Sequence, residues 1–194
     1  MSEKNEWASA GPGGLVAYSV MTYMAAALFL GLVDFTSLLL ASGIAFAAII
    51  PYIITAIVSL RKNDNLGGNT FLYFTGFFAA GSGFSWLLTY LSIINHWNID
   101  IRILGYEWIV LSLVLTVTTP GFAKAPLATF LTILTVDPAL FITAFYYLGV
   151  TNTLINSIGG LLYFITGTLA WYVAAAGMLA SVGINLPLGK PLLK

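Results

Sequence analysis

The chain has 194 residues, of which 59% are hydrophobic and only 7% are charged, and its formal net charge is zero. A soluble domain carries about 25% charged residues, so this composition predicts an integral membrane protein and argues against a nucleic-acid partner. The chain contains no cysteine, which excludes disulfides, thiol catalysis and iron–sulfur ligation. The single His96 cannot form a bis-histidine haem site, and no cofactor or metal is predicted.

Six apolar runs follow one another along the chain, separated by short connections such as the polar turn at 61–65. Each run is long enough to form a membrane-spanning helix, which needs about 17 to 25 residues. We therefore predict an all-α integral membrane protein with one domain, residues 1–194, folded as a bundle of six transmembrane helices. The predicted helices cover 14–33, 35–60, 70–94, 103–119, 125–149 and 157–182.

The basic residues predict the orientation of these helices. With six crossings, one side of the membrane holds both termini and most of the basic residues, whereas the other side holds Arg102 alone. Because cytoplasmic connections carry the excess of Lys and Arg, both termini are predicted to be cytoplasmic, and the protein is placed in the cell membrane. The basic residues on the terminal side are Lys4, Arg61, Lys62, Lys124, Lys190 and Lys194.

The fifth run is unusual because Asp137 and Pro138 lie near its middle. An acid at that depth costs roughly 3 kcal/mol on insertion scales, and a proline removes a backbone donor. Intramembrane acids usually face the bundle interior or a water-filled cavity, so Asp137 is a candidate for a substrate path. It would have to be neutral when a carboxylate passes. The alternative is a structural acid, protonated or bonded to backbone groups that Pro138 frees.

Small residues recur four positions apart on several helices, for example at Gly43 and Ala47 and at Gly177 and Ser181. This spacing lets helix backbones approach closely. It favours tight packing within the chain. The alternatives are helices packed around a narrow pore or an interface between subunits.

Four stretches carry a family resemblance. They are Ser-Ala-Gly-Pro-Gly-Gly-Leu at 9–15, Gly-Asn-Thr-Phe at 68–71, Ala-Trp-Tyr-Val-Ala at 170–174 and Leu-Pro-Leu-Gly at 186–189. Their order and spacing resemble the acetate uptake transporter family, also called the succinate–acetate permease family. The match to the family signature at helix one consists of Pro12, Gly14 and Leu15.

The chain also departs from the family pattern. The family's glutamine and glutamate of helix two are Pro51 and Val58 here, and the aromatic residue that precedes the glycine of helix three is Ala80. In the family, that aromatic narrows the pore. The resemblance implies a six-helix protomer that encloses its own narrow path and assembles as a hexamer. It implies small carboxylates such as acetate and succinate as substrates, moved by a channel-like or proton-coupled route.

The candidate substrate path combines the family signature with polar side chains. Free N–H groups at a helix N-terminus attract carboxylates, which gives the signature a physical role, although a flexible linker before a helix is the alternative. Tyr18 and Thr22 lie four residues apart and would face the same way, so their hydroxyls could line a polar path. The alternative is that the Thr22 hydroxyl bonds the backbone of its own helix. The predicted path residues are Pro12, Gly14, Leu15, Tyr18, Thr22, Asn69 and Asp137.

Two functions follow as alternatives. The first is a transporter or channel for small monocarboxylates and dicarboxylates. The second is a non-transporting membrane subunit of the same fold that scaffolds a larger membrane complex. No HExxH, P-loop or GxSxG motif occurs in the sequence, so an enzyme is not predicted.

Overall fold

The structure is a computed structural model that describes residues 7–193, so Lys4 and Lys194 of the charge pattern lie outside it. Six helices in this range are long and apolar enough to cross a membrane, which confirms the predicted number and class of elements. The chain is a multi-pass membrane protein. Its helices are α1 (Gly11–Phe29), α2 (Ser37–Arg61), α3 (Asn65–Ile94), α4 (Arg102–Lys124), α5 (Leu127–Tyr147) and α6 (Thr153–Ala180).

The two helices that begin furthest ahead of the hydropathy prediction are capped by polar side chains. The Asp64 carboxylate accepts a hydrogen bond from the Gly67 N–H at 2.9 Å, and α3 therefore starts at Asn65 rather than at residue 70. The Asn152 side chain accepts from the Ile155 N–H at 3.0 Å and starts α6 at Thr153 rather than at residue 157. Such caps satisfy N–H groups that have no partner within the helix, and a hydropathy profile does not detect them.

The six helices form a ring in which α6 packs against α1 and consecutive antiparallel helices pack closely, except between α3 and α4. Between α3 and α4 the ring is joined by Phe78 and Trp108, whose ring centroids lie 5.8 Å apart. We name the two ends of the ring after residues found there. The Asp34 end carries the α1–α2, α3–α4 and α5–α6 connections, and the Gly11 end carries the other two.

The small residues serve in two different ways. Some lie at close approaches within the chain, as at Gly177, where a Cβ would lie 2.9 Å from Pro12 Cγ. Others face outward, since Gly43 has no atom of another residue within 4 Å of its would-be Cβ and both Gly43 and Ala47 are exposed. Close packing within the chain therefore accounts for only part of the pattern.

The middle of α3, Phe74–Gly81, is a π-helix. Such wide turns are rare and often occur at functional sites. Here the turn holds Phe74 and Phe78 on one face, with ring centroids 5.2 Å apart, and both side chains are buried in the centre of the ring. The π-helix therefore brings two aromatic side chains to the axis of the bundle.

Candidate functional site: a vestibule that ends at an aromatic layer

A cavity of about 450 Å³ lies inside the ring in its Asp34 half, and we call it the vestibule. At one end it is lined by the exposed α1–α2 connection, including Asp34 and Phe35. At the other end it reaches Met21 on α1 and Phe78 on α3, both of which are buried. In the part of the chain that is described, the lining of α1 and α3 extends no closer to the Gly11 end than these two residues.

One face of α3 forms a wall of the vestibule. The lining residues Ser82, Trp86, Thr89 and Ile93 recur at steps of four and three, which is the spacing of one face of an α-helix. Polar and apolar side chains alternate along this face. It therefore offers hydroxyl groups to a solute between apolar surfaces.

The facing wall comes from α5 and α6. The oxygens of Thr143 and Tyr163 are 2.7 Å apart, and the Thr143 hydroxyl also lies 3.0 Å from the Ala139 carbonyl oxygen. Because one hydroxyl has one proton, a Thr143 that donates to Ala139 must accept from Tyr163. Asn156 lines the same wall, and its Oδ1 is buried with no hydrogen-bond partner among residues 7–193.

The charge at the mouth of the vestibule is negative. The hydroxyl and N–H groups of Thr36 donate to the Asp34 carboxylate, and these bonds lower the pKa of Asp34 below its usual value. Asp34 is therefore ionised at neutral pH. Among the described lining residues there is no lysine, arginine or histidine. An anion entering the vestibule meets a like charge and no basic partner.

Aromatic side chains fill the centre of the ring where the vestibule ends. The Phe74 ring lies 5.3 Å, centroid to centroid, from Tyr18 and 6.3 Å from Tyr52, and it contacts Tyr73 and Phe78 at 5.1 and 5.2 Å. We call these five residues from α1, α2 and α3 the aromatic layer. The hydroxyls of its three tyrosines are buried and have no partner in the described chain. The layer separates the vestibule from the Gly11 end.

The family signature at the start of α1 is packed rather than open. A Cβ on Gly14 would lie 2.6 Å from Thr55 Oγ1, so α1 and α2 are in close contact there. The Gly11 N–H donates to Ser9 Oγ at 3.3 Å, and the N–H groups of Gly13 and Gly14 donate to the Ala10 carbonyl at 3.1 and 3.3 Å. The predicted free donors for a carboxylate are therefore occupied by acceptors of the chain itself.

The other predicted path residues on α1 and α3 are not brought together. Tyr18 belongs to the aromatic layer, whereas the Thr22 hydroxyl bonds the carbonyl groups of Tyr18 and Ser19 in its own helix at 3.0 Å. Asn69 is exposed, and its amide donates to the Asn65 carbonyl at 2.7 Å. Leu15 is half-buried against the core, and Pro12 packs on α6.

Asp137 lies between α4 and α5 and outside the vestibule lining. Its side chain is only 6% exposed, and its Oδ2 is hydrogen-bonded to Thr119 Oγ1 at 2.7 Å. Its partner is thus a hydroxyl of the neighbouring helix rather than backbone freed by Pro138, through which α5 runs without interruption. Asp137 lines a separate, shallower hollow that opens near the Gly11 end.

Several vestibule residues carry no strong signal in the sequence. For Ser82 and Thr89, the only indication in the sequence was their spacing of seven residues, which places them on the same face of α3. Thr143, Asn156 and Tyr163 lie on two helices, and their convergence depends on how α5 and α6 pack. A single sequence does not provide that information.

The fold is similar to that of a solved structure, the bacterial acetate channel SatP. The TM-score is 0.75 with 18% sequence identity, and the match covers 94% of this chain and 99% of that one. At this identity the likeness establishes the six-helix fold, in agreement with the architecture that the family resemblance implied. No protein-family model and no curated protein sequence matches the chain.

Proposed function

We propose that this protein is a membrane transporter or channel for small monocarboxylic and dicarboxylic acids such as acetate and succinate. The vestibule is the observation that carries the proposal, because it is a partly polar cavity inside a ring of six helices and ends at the aromatic layer. The similar fold of a bacterial acetate channel supports the substrate class. A cavity with alternating hydroxyl and apolar surfaces suits a small molecule that carries one or two carboxyl groups on a short hydrocarbon part.

We infer that the neutral acid is the form that enters and that transport is coupled to a proton in this way. A carboxylate would meet the ionised Asp34 at the mouth and would find no basic partner among the described lining residues. A neutral acid both donates and accepts a hydrogen bond, so it can pair with Thr143, Tyr163 and Asn156 without a counter-charge. Moving the carboxylate from water into the vestibule without a partner costs far more free energy than moving the neutral acid.

The proposed path crosses the aromatic layer at Tyr18 and leaves at the Gly11 end past Pro12, Gly14 and Leu15. The buried tyrosine hydroxyls of the layer would supply polar contacts below the vestibule. The side chains of Thr22 and Asn69 are hydrogen-bonded to backbone carbonyl groups of their own helices, so they are assigned no contact with substrate. Asp137 is assigned a separate role below.

Reconstitution in liposomes tests this proposal. Flux of succinate above that of protein-free liposomes should rise about tenfold for each unit by which the pH is lowered between the two pKa values of succinic acid, because the neutral fraction of the diacid rises by that factor. Succinate is preferred because acetic acid crosses lipid without a protein. Ser82→Leu should block the vestibule, whereas Ser85→Leu, on the same helix but outside the lining, should not. Flux equal to that of empty liposomes for several carboxylates would refute the proposal.

The charge at the mouth gives a second prediction. Asp34→Asn should raise entry of the anionic form about two- to fivefold at low ionic strength, since it removes a fixed negative charge that salt otherwise screens. The lowered pKa of Asp34 keeps it ionised from neutral to mildly acidic pH, so its titration does not produce the expected rise of flux with acidity. Initial rates of uptake at neutral pH measure the effect.

The matched control is Asp100→Asn. Asp100 is an exposed acid at the same end of the ring, outside the vestibule lining, and its partner Arg102 lowers its pKa to about 2. The two substitutions change the net charge equally. Equal effects of both would show that Asp34 acts through the overall charge of that surface rather than at the mouth.

We further propose that both termini are cytoplasmic, that the protein lies in the cell membrane, and that protomers assemble as a homo-oligomer, a hexamer by resemblance. The outward-facing Gly43 and Ala47 on α2, and Gly76 on α3, support a subunit contact, because small residues let helices of two protomers approach closely.

One observation favours the alternative function, a non-transporting subunit that scaffolds a membrane complex. The aromatic layer fills the centre of the ring below Met21 and Phe78. A path that stays closed there would conduct nothing. Purification in mild detergent separates the two functions, since a scaffold should bring foreign subunits in fixed stoichiometry, and a transporter of this kind should purify as a homo-oligomer.

A further inference from the structure

The chain that follows α6 returns across the Gly11 end of the ring. We call residues 184–193 the return segment. The Tyr172 hydroxyl donates to the Pro187 carbonyl at 2.8 Å, and the Ala128 N–H at the start of α5 donates to the Leu188 carbonyl at 2.9 Å. The N–H groups of Leu192 and Leu193 donate to the Ala123 carbonyl at the end of α4, both at 2.9 Å. The segment is thus tied to three helices.

The return segment forms one wall of the hollow that leads to Asp137. Leu192 and Leu193 line this hollow together with Thr119 and Asp137. Asp137 lies about three turns along α5 from Leu127, which corresponds to roughly 15 Å, or half of the hydrocarbon thickness. The hollow therefore extends from the Gly11 end toward the middle of the membrane, and the return segment lines its part nearest the Gly11 end.

The bottom of the hollow contains an unsatisfied polar group. Asp137 Oδ2 is bonded to Thr119, but Oδ1 is buried and has no partner among the described residues. A buried polar atom without a hydrogen-bond partner destabilises the folded protein. Apart from Thr116 and Thr119, the other side chains around Asp137, such as Phe130 and Leu134, are apolar, and no basic residue is among the described lining. Water is the small partner that fits such a place, because it can bond the carboxyl group and the nearby threonine hydroxyls at once.

We propose that Asp137 and Thr119 form a water-binding site in the middle of the membrane, and that the return segment is a strap that closes the access to it from the Gly11 end. The site is separate from the vestibule, so the proposal does not depend on the substrate class assigned above. Opening of the strap would hydrate Asp137 and connect it to the aqueous phase. Closure would isolate it.

Gly189 is the position at which the strap can be loosened by a single substitution. Its φ is +75°, and a Cβ would lie 2.8 Å from Leu127 Cβ, so Gly189→Ala strains the backbone and pushes the segment away from α5. Gly149→Ala is the matched control. Gly149 has the same φ of +75° but nothing within 4 Å of its would-be Cβ, and it lies at the Asp34 end.

The test uses the full chain, which has no native cysteine. In an Asp137→Cys background, a small hydrophilic methanethiosulfonate should label slowly, because only a hydrated thiolate reacts. Adding Gly189→Ala should speed labelling about tenfold, a difference of about 1.4 kcal/mol in the opening equilibrium, whereas adding Gly149→Ala should leave the rate unchanged. Phe130→Cys, on the wall of the hollow, provides a second reporter should Asp137→Cys fold poorly.

Equal labelling rates in all three backgrounds at both reporters would overturn the proposal, as would rapid labelling with the strap intact. The native carboxyl group gives an independent readout. Its infrared band, identified by its loss in Asp137→Asn, should shift in heavy water faster in Gly189→Ala than in the parent protein. A shift at the same speed in both proteins would contradict control by the strap.

Discussion

The Phe74→Ala variant is expected to conduct carboxylic acids about tenfold faster than the parent protein, which corresponds to about 1.4 kcal/mol less barrier. Phe74 is the central ring of the aromatic layer and contacts Tyr18, Tyr52, Tyr73 and Phe78. Removal of the Phe74 ring would open the aromatic layer and lower the barrier between the vestibule and the Gly11 end. It would also cost about 3–5 kcal/mol of stability, as large-to-small changes in packed cores do. Flux into liposomes and thermal unfolding in detergent measure the two effects.

Phe77→Ala is the control for this experiment. Phe77 is the same residue type in the same π-helix, but it is 51% exposed on the outer surface, whereas Phe74 is 3% exposed. Its truncation should change neither flux nor stability by much. If Phe74→Ala does not fold, Phe78→Leu is the alternative, because it removes part of the aromatic layer with a smaller loss of side-chain volume. A folded protein with unchanged flux in either variant would argue that the layer is not the barrier.

The Gly167→Ala variant is expected to lose most of its folded protein, because one methyl group would separate α1 from α6. A Cβ at Gly167 would lie 2.7 Å from both Thr22 Oγ1 and Tyr23 Cδ2, and the Gly167 carbonyl also accepts a hydrogen bond from Ser19 Oγ at 2.8 Å. Overpacking of this kind costs about 1–3 kcal/mol, and the lost hydrogen bond adds to it. Thermal unfolding followed by size-exclusion chromatography gives the measurement.

Gly43→Ala provides the comparison, since nothing lies within 4 Å of its would-be Cβ and alanine is the better helix former by about 0.5–1 kcal/mol. That variant should be at least as stable as the parent as a monomer in detergent. Equal unfolding temperatures for the two variants would contradict the close approach of α1 and α6.

Hydropathy predicted the six helices because a membrane-spanning helix must bury about 20 apolar residues in hydrocarbon, which leaves a clear record in sequence. The helix starts were less well predicted. Asp64 and Asn152 cap helices with polar side chains, so α3 and α6 extend beyond the apolar runs. The π-helix at Phe74–Gly81 was not predicted, since nothing in the local sequence distinguishes it from an α-helix.

The candidate site was predicted less completely than the fold. Tyr18 was predicted to line a polar path; it is buried in the aromatic layer, and its contact with a substrate stays a prediction. The predicted free donors near Gly14 are bonded within the chain, and Asn69 faces outward. The vestibule residues Thr143 and Tyr163 were not singled out, because their contact joins two helices whose relative rotation the sequence does not state.

Asp137 shows most clearly which properties of a residue the sequence predicts and which depend on the tertiary structure. The sequence by itself determined that an acid lies in the middle of the membrane, because position in an apolar run measures depth. Only the tertiary structure decided which side of α5 that acid occupies. It faces Thr119 and the hollow under the return segment rather than the vestibule. The reason is physical: depth depends on the chain's own hydrophobicity, whereas the facing of a side chain depends on the packing of neighbouring helices.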